Sequence, residues 1–275
     1  MSLNADEIRQ HFGDAEQCVE TLEVFTEITS TNTYLMQFSE PSEGCVRVAA
    51  TDNQTAGRGR HGRHWHSPPG TGLCLSVAHS FANRPENLPA LTLVVGLSVV
   101  DALKEHSIDG VQLKWPNDLI AMDAKLGGIL TEAQSQASGG VTVVTGVGLN
   151  LDRGSHPEPL ELSHGSHWSK NAIDLKRHAG FLPDKNALAA SLINGLQRVL
   201  RNYTTGGFEE VSDRWRQYDW LHGRAVAIET PQQTIRGLGV GVDSDGALLV
   251  ETQSAGVQRV TSGTVTMADV AGSQS

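Results

Sequence analysis

The sequence predicts an α+β protein: a sheet packed against helices over most of the chain, then a small β-barrel. Two observations carry this. Up to Leu221, runs of alternating apolar and polar residues interleave with segments of helical period. From Gly223 the texture changes to short strands at regular spacing, separated by turn residues, over about fifty residues. The expected division is residues 1–221 and 222–275.

Taken in order, Asn4 to Phe12 predicts an opening helix capped by Asn4. Thr21 to Ile28 alternates as a strand does, and Ser30, Thr31 or Asn32 caps a helix through about Phe38. Cys45–Ala50 and Leu73–His79 read as strands. Apolar residues at 88, 91, 94, 95, 99, 102 and 103 give Asn87–Glu105 a helical period, the main core helix. Val111–Trp115 is strand-like and ends at the turn Pro116-Asn117-Asp118. A hairpin follows, with strands Leu119–Met122 and Lys125–Ala133 around Asp123-Ala124. Val141–Asn150 is another strand, in which Gly146 and Gly148 suggest close approach by a ligand or another backbone. Lys185–Tyr203 and Phe208–Trp220 are amphipathic helices, the second expected to lay its aromatics on the sheet. Four strands are expected at the end: Ala225–Ile228, Thr234–Val242, Ala247–Glu251 and Val257–Val260.

Composition narrows the function classes. A net charge of −10 over 275 residues disfavours a chain that lives on nucleic acid or an anionic membrane. Cys18, Cys45 and Cys74 cannot all pair with one another, and none is spaced Cys-x-x-Cys, which points to a reducing compartment and away from structural zinc. Met1 to Asp6 has no basic or apolar leader region, and Leu91–Val100 is too short an apolar run to span a bilayer. The expectation is a cytoplasmic protein.

The segment that carries chemistry is Thr51–Trp65, where Gly57, Gly59 and Gly62 alternate with Arg58, Arg60 and Arg63. Arginine supplies a planar fork matched to phosphate and carboxylate, and glycine lets the backbone close on a ligand. The spacing Gly57-x-Gly59-x-x-Gly62 fits a dinucleotide fingerprint, but two prolines follow where that motif needs a helix. A ligand-binding loop, a nucleic-acid contact and a solvated loop all remain open on this segment alone. Ser30-Thr31-Asn32 can likewise cap a helix or bind a small polar ligand. Histidines 156, 164, 167 and 178 lack the tight pair spacing of zinc sites, so a polar active-site loop over 152–170 is the stronger reading.

Four motifs in order resolve the choice: the glycine–arginine loop, Lys114-Trp-Pro-Asn-Asp-Leu119, Lys125-Leu-Gly-Gly-Ile-Leu130 and Gly146-Val-Gly-Leu-Asn150. Together they resemble biotin protein ligases, over a stretch from Glu23 to the C-terminus. The resemblance implies a mixed sheet of the class II synthetase-like type, followed by an SH3-like barrel. It implies ATP and biotin as substrates, magnesium with the nucleotide, a biotinyl-5′-adenylate intermediate, and transfer of biotin to a lysine of a biotin carboxyl carrier domain. Lipoate and octanoate ligases share the fold; the Arg-Gly-Arg loop favours the biotin enzymes.

By the same resemblance, Ser30, Thr31, Asn32 and Gln54 bind the ureido ring of biotin. Gly57 belongs to the biotin side, and Gly128, Ile129, Leu130, Gly146 and Gly148 line the apolar pocket. Arg58, Arg60 and Lys125 offset the repulsion between a carboxylate and an α-phosphate. Arg63, Asn117 and Asn150 meet the nucleotide, and Trp65 covers the adenylate. Asp118 receives the carrier lysine. Lys114 and Trp115 have a simpler reading as shapers of a strand end. Ala172-Ile-Asp-Leu175 departs from the Ala-Thr-Ser-Leu common in that family. The Ser-Thr-Asn motif begins at residue 30, which leaves no room ahead of it for the DNA-binding helix-turn-helix of many bacterial relatives. A monomer or weak homodimer with no metal-ligating residues of its own is expected.

Overall fold

Asn4 accepts hydrogen bonds from the Asp6 and Glu7 amides and so caps α1, Ala5–Arg9. The computed structural model describes residues 2–13, 18–38, 40–137, 139–154 and 172–268. Seven strands form the large sheet: β1 (Val19–Phe25), β2 (Val46–Thr51), β3 (Gly72–Phe81), β4 (Gln112–Lys114), β5 (Asp118–Ala121), β6 (Ala124–Ser135) and β7 (Val141–Asn150). Their order is β1-β2-β3-β7-β6-β5-β4. Only β1 and β2 run parallel, so the sheet is mixed, as expected.

Strand alternation sorts side chains between the two faces. Val46, Val48, Ala50, Leu73, Leu75, Val77, Val143 and Val147 join the main core, while Ala49, Ala78 and Val144 point the other way. The main core is completed by α1, α3 (Leu91–Glu105) and α5 (Lys185–Gly206). Apolar on most sides, α3 is buried over most of its length and exposes Lys104 and Glu105 in its last turn, which fits a helix enclosed by sheet and helices together. Leu188, Leu192, Ile193, Leu196 and Leu200 make the buried stripe of α5. The short α2 (Thr31–Leu35) covers part of the second face, where Tyr34 stacks edge-on against Phe25 and Phe38. The rest of that face is left to the functional site.

Several boundaries differ from the sequence reading. The first strand ends at Phe25, and Ile28 makes only an isolated bridge to Gln54. The hairpin turns at Met122-Asp123, both at positive φ (48° and 55°), the geometry of a type I′ turn. After α4 (Leu175–Ala179) and α5, the third helix is a 3-10 turn, Glu209–Val211, then α6, Ser212–Tyr218. Its Trp215 packs beside Phe208 and against Gly96 of α3, and Trp220, just beyond α6, donates its backbone N–H to the Leu113 carbonyl of β4 at 2.9 Å.

The second sheet is antiparallel: β8 (Ala225–Glu229), β9 (Thr234–Val242), β10 (Leu248–Thr252), β11 (Gly256–Val260) and β12 (Thr264–Met267), in the order β11-β10-β9-β8-β12. The four expected strands are present. The fifth, β12, is too short to stand out in sequence, yet it is the strand that reaches the functional site. Among the described residues no helix is long and apolar enough to cross a membrane.

Candidate active site

A cavity of about 140 Å³ opens on the second face of the large sheet. Its walls are the start of α2, the glycine–arginine loop, the Lys114–Asp118 turn, β6, β7 and the start of β12. These elements converge because the start of α2, the loop and the Lys114–Asp118 turn lie over the face that the interiors of β6 and β7 present.

At one end the polar groups form a closed network. Ser30 caps α2 by accepting from the Thr33 amide at 3.4 Å. Gln54 Oε1 accepts from the Thr31 amide (2.8 Å) and the Thr31 hydroxyl (3.2 Å). Ser76 Oγ lies 2.6 Å from both Thr31 Oγ1 and Asn32 Oδ1. Asn32 Nδ2 donates to the Leu130 carbonyl (3.2 Å) and to Glu132 (3.0 Å). Buried polar side chains need partners, and here each supplies the next. Capping and binding chemistry coexist in Ser-Thr-Asn: Ser30 caps, while all three residues line the cavity.

Side chains, not backbone, explain the glycines of β7. A Cβ at Gly146 would collide with Asn32 Oδ1, and one at Gly148 would lie 2.6 Å from the indole of Trp65. Trp65 therefore lies flat across β7, with Lys125 Nζ 5.8 Å from its ring centre.

The other end is charged. Lys125 Nζ pairs with Asp118 Oδ1 at 2.6 Å. Burial pushes the Asp118 carboxyl up, but Lys125, Lys114 and Arg63 outweigh it and hold it below its usual value. Lys114 is 5% exposed, and burial pulls its ammonium down to about 8, with Asp118 opposing and Lys125 and Arg63 adding to the fall. It donates to the Val265 carbonyl at 2.8 Å. Burial also lowers Arg60, against the pull of Asp118. Among the described residues the Arg60 guanidinium makes no hydrogen bond or ion pair. It is a cation facing a cavity with room for an anion.

Two of the three loop arginines have protein partners. Arg58 pairs with Glu132 at 2.9 Å, and Arg63 donates to Thr264 of β12 at 3.0 Å. The loop is further closed on itself by Gly59 N to Arg63 O and Trp65 N to Gly57 O, both 2.8 Å.

Of the expected site residues, Ser30, Thr31, Asn32, Gln54, Arg58, Arg60, Arg63, Trp65, Asn117, Asp118, Lys125, Gly128, Ile129, Leu130, Gly146 and Gly148 all line the cavity. Gly57 and Asn150 do not. Gly57 lies behind Trp65, whose carbonyl a Cβ there would strike. Asn150 is spent inside the fold, donating to the carbonyls of Ile173 (3.1 Å) and Lys125 (3.4 Å). Asn117 lines the cavity but also donates to Ile129 at 2.8 Å, so it shapes its turn as well.

Sequence reasoning passed over Cys74, Ser76 and Glu132. Period 2 was the available signal: Cys74 and Ser76 alternate with Leu73, Leu75 and Val77, and Glu132 continues the row Gly128, Leu130. Cys74 lines the cavity as a neutral thiol, pushed up to about 11 by burial. Lys114 proves to be a cavity residue rather than only a strand end. Among the described residues no three His, Cys, Asp or Glu side chains cluster as a metal site. His178 instead contacts the Asp109 carbonyl at 2.7 Å. His156, His164 and His167 lie outside the described residues. A larger groove, about 540 Å³, runs behind β6 towards the barrel, but its Arg259 is already paired with Asp243 and Asp245.

Known proteins carry the same pattern. Residues 24–150 match the biotin/lipoate A/B protein ligase family, and residues 221–267 match the biotin protein ligase C-terminal domain. The bifunctional ligase/repressor BirA of Salmonella typhimurium is 34% identical over 250 residues, spanning 90% of this chain and 73% of that protein. The biotin–[acetyl-CoA-carboxylase] ligase of Mycobacterium tuberculosis is 30% identical over 238 residues, spanning 84% of this chain and 83% of that one. The solved structure of biotin protein ligase from Aquifex aeolicus in complex with biotin and ATP aligns with a TM-score of 0.75 at 27% identity, covering 90% of this chain and all of that one.

Proposed function

The chain belongs to the biotin protein ligases of the biotin/lipoate A/B protein ligase family, and we propose that it joins biotin to a carrier lysine in two steps through biotinyl-5′-adenylate. It is an enzyme that uses biotin and ATP and modifies a carboxylase. In the first step the biotin carboxylate attacks the α-phosphorus of ATP, and pyrophosphate leaves. In the second the ε-amine of the carrier lysine attacks the acyl carbon, AMP leaves, and the amine loses a proton. Magnesium travels with the triphosphate as part of the nucleotide substrate.

The observation that carries this reading is the polarity of one cavity. Hydroxyls and amides from Ser30, Thr31, Asn32 and Gln54 sit at one end, and Arg60, Lys114 and Lys125 at the other. A ureido ring needs neutral donors and acceptors, whereas a carboxylate meeting a phosphate needs cations. Gly128, Leu130, Gly146 and Gly148 leave the space between. Lys125 has three donors, so it can keep Asp118 and still meet an incoming anion. Asp118, held ionised, accepts the proton or the ammonium of the carrier lysine. Trp65 covers the intermediate from water. With the boundary at 221/222, the N-terminal part supplies this chemistry, β8 to β12 form the appended barrel, and β12 completes the charged wall.

Biotin-dependent exchange of labelled pyrophosphate into ATP tests the first step, and label transfer to a purified carrier domain tests the second. Exchange that answers to lipoate or octanoate but not to biotin would overturn the reading.

A further inference from the structure

The strand β6 carries a carboxylate that the reaction above does not use. Gly128, Leu130 and Glu132 alternate onto one face. The first two line the cavity, and Glu132 continues the row one step beyond its wall. From there it reaches two other elements at once. Oε2 accepts from Asn32 Nδ2 at 3.0 Å, on α2. Oε1 and Oε2 face the Arg58 guanidinium at 2.9 and 3.3 Å, a two-pronged contact on the glycine–arginine loop.

We propose that Glu132 is a positioning residue: it ties the Ser-Thr-Asn helix and the arginine loop to the rim of the sheet, and so closes the loop over the cavity. The inference rests on the biotin ligase reading of that cavity. Glu132 does not itself line the cavity, so it acts through Asn32 and Arg58, which do. A carboxylate is suited to both tasks, because it accepts from an amide with one oxygen and matches a guanidinium with two. Its side chain is 22% exposed, against 50% for Arg58, so the anchored partner is the strand and the movable one is the loop. The loop also needs the negative charge: it carries three arginines, and Arg63 already bears on Arg60. Ser76 holds the other end of the Asn32 amide, so that losing Glu132 frees the loop more than it frees α2.

Two variants separate the two ties. Glu132→Gln keeps an oxygen for Asn32 but loses the ion pair; Glu132→Ala loses both. Amide exchange over residues 57–65, without ligand, should speed up about tenfold or more in both variants. The Michaelis constant for biotin should rise several-fold in Glu132→Gln and at least tenfold in Glu132→Ala, with kcat within about threefold of the unaltered enzyme. Pre-formed adenylate should escape into solution faster in both. The melting temperature of each variant is recorded alongside, and a fall in it with unchanged loop exchange would mean a role in β6 alone and overturn the proposal. Unchanged exchange, Michaelis constant and adenylate release would overturn it as well. Pyrophosphate exchange by the unaltered enzyme serves as the control: if that lacks biotin dependence, the functional reading fails instead, and the two failures are told apart.

Discussion

Lys125 and Asp118 face each other across the β5–β6 hairpin, with Nζ 2.6 Å from Oδ1. The pair joins the cation expected to stabilise the first step to the anion expected to serve the second. Loss of a charge stabiliser in such a site costs about 3–4 kcal/mol of barrier, or roughly two to three orders of magnitude in rate. Lys125→Met should slow adenylate formation by that much. An anion cannot help a carboxylate approach a phosphate, so Asp118→Asn should keep adenylation within about tenfold, yet transfer pre-formed adenylate slowly, because a free lysine near ~10.4 stays protonated. Single-turnover timing of each half-reaction checks this. Equal loss of adenylation in both variants would refute the division of labour.

Gly146→Ala places a methyl where Asn32 Oδ1 now lies. Asn32 must swing away, releasing Leu130, Glu132 and Ser76 together. Biotin affinity should fall at least about tenfold, or ~1.4 kcal/mol, by calorimetric titration while the circular dichroism spectrum is kept. Unaltered affinity would show that Asn32 has room to spare.

The buried Lys114 makes a pH prediction with a definite sign. Its folded value near 8 lies below the ordinary 10.5, so between those values the unfolded chain holds more protons. Stability therefore gains from this group as pH rises from about 8 to about 10.5, by about 3 kcal/mol at most. Below pH 8 the buried charge is a full liability. Relative to the unaltered protein, Lys114→Met should be most favourable near pH 7 and lose that advantage towards pH 10, measured by urea unfolding. A difference that stays constant with pH would sink it.

Trp115 donates its indole N–H to the Gly246 carbonyl of the barrel at 2.9 Å. Trp115→Phe leaves that carbonyl without its partner, at a cost of about 1–3 kcal/mol. Amide exchange around Gly246 and Ala247 should quicken more than that in β3 or β7. Uniform quickening across both sheets would mean that the side chain serves the core and not the junction.

Much of the fold is legible because its signals are local. Asn4 and Ser30 cap helices by reaching amides two or three residues on. The stripe of α5 and the apolar–polar alternation in β1 follow from periods that the chain carries by itself. Where the reading slipped, the local signal was weak or ambiguous. Apolar residues in Phe208–Trp220 announce a buried face without naming what buries it, and Thr264–Met267 is too short to show a period.

Periodicity and turn residues were enough for most of the helices and strands and for the change of texture near Gly223, and the family resemblance of four motifs pointed to sixteen residues that line the cavity. Tertiary structure decided which charges meet. Asn32 and Glu132 are 100 residues apart, Lys114 and Val265 are 151, and Arg63 and Thr264 are 201. Local propensity acts within a few residues along the chain, and no spacing rule links positions so distant. Their pairing depends on the register of β6 against β7, on the loop folding back over the sheet, and on the barrel docking with β12 turned inward. For the same reason Asn150, which belongs to a motif by sequence, is turned into the fold: the strand end that carries it is closed by Ile173, from a segment the motif does not include.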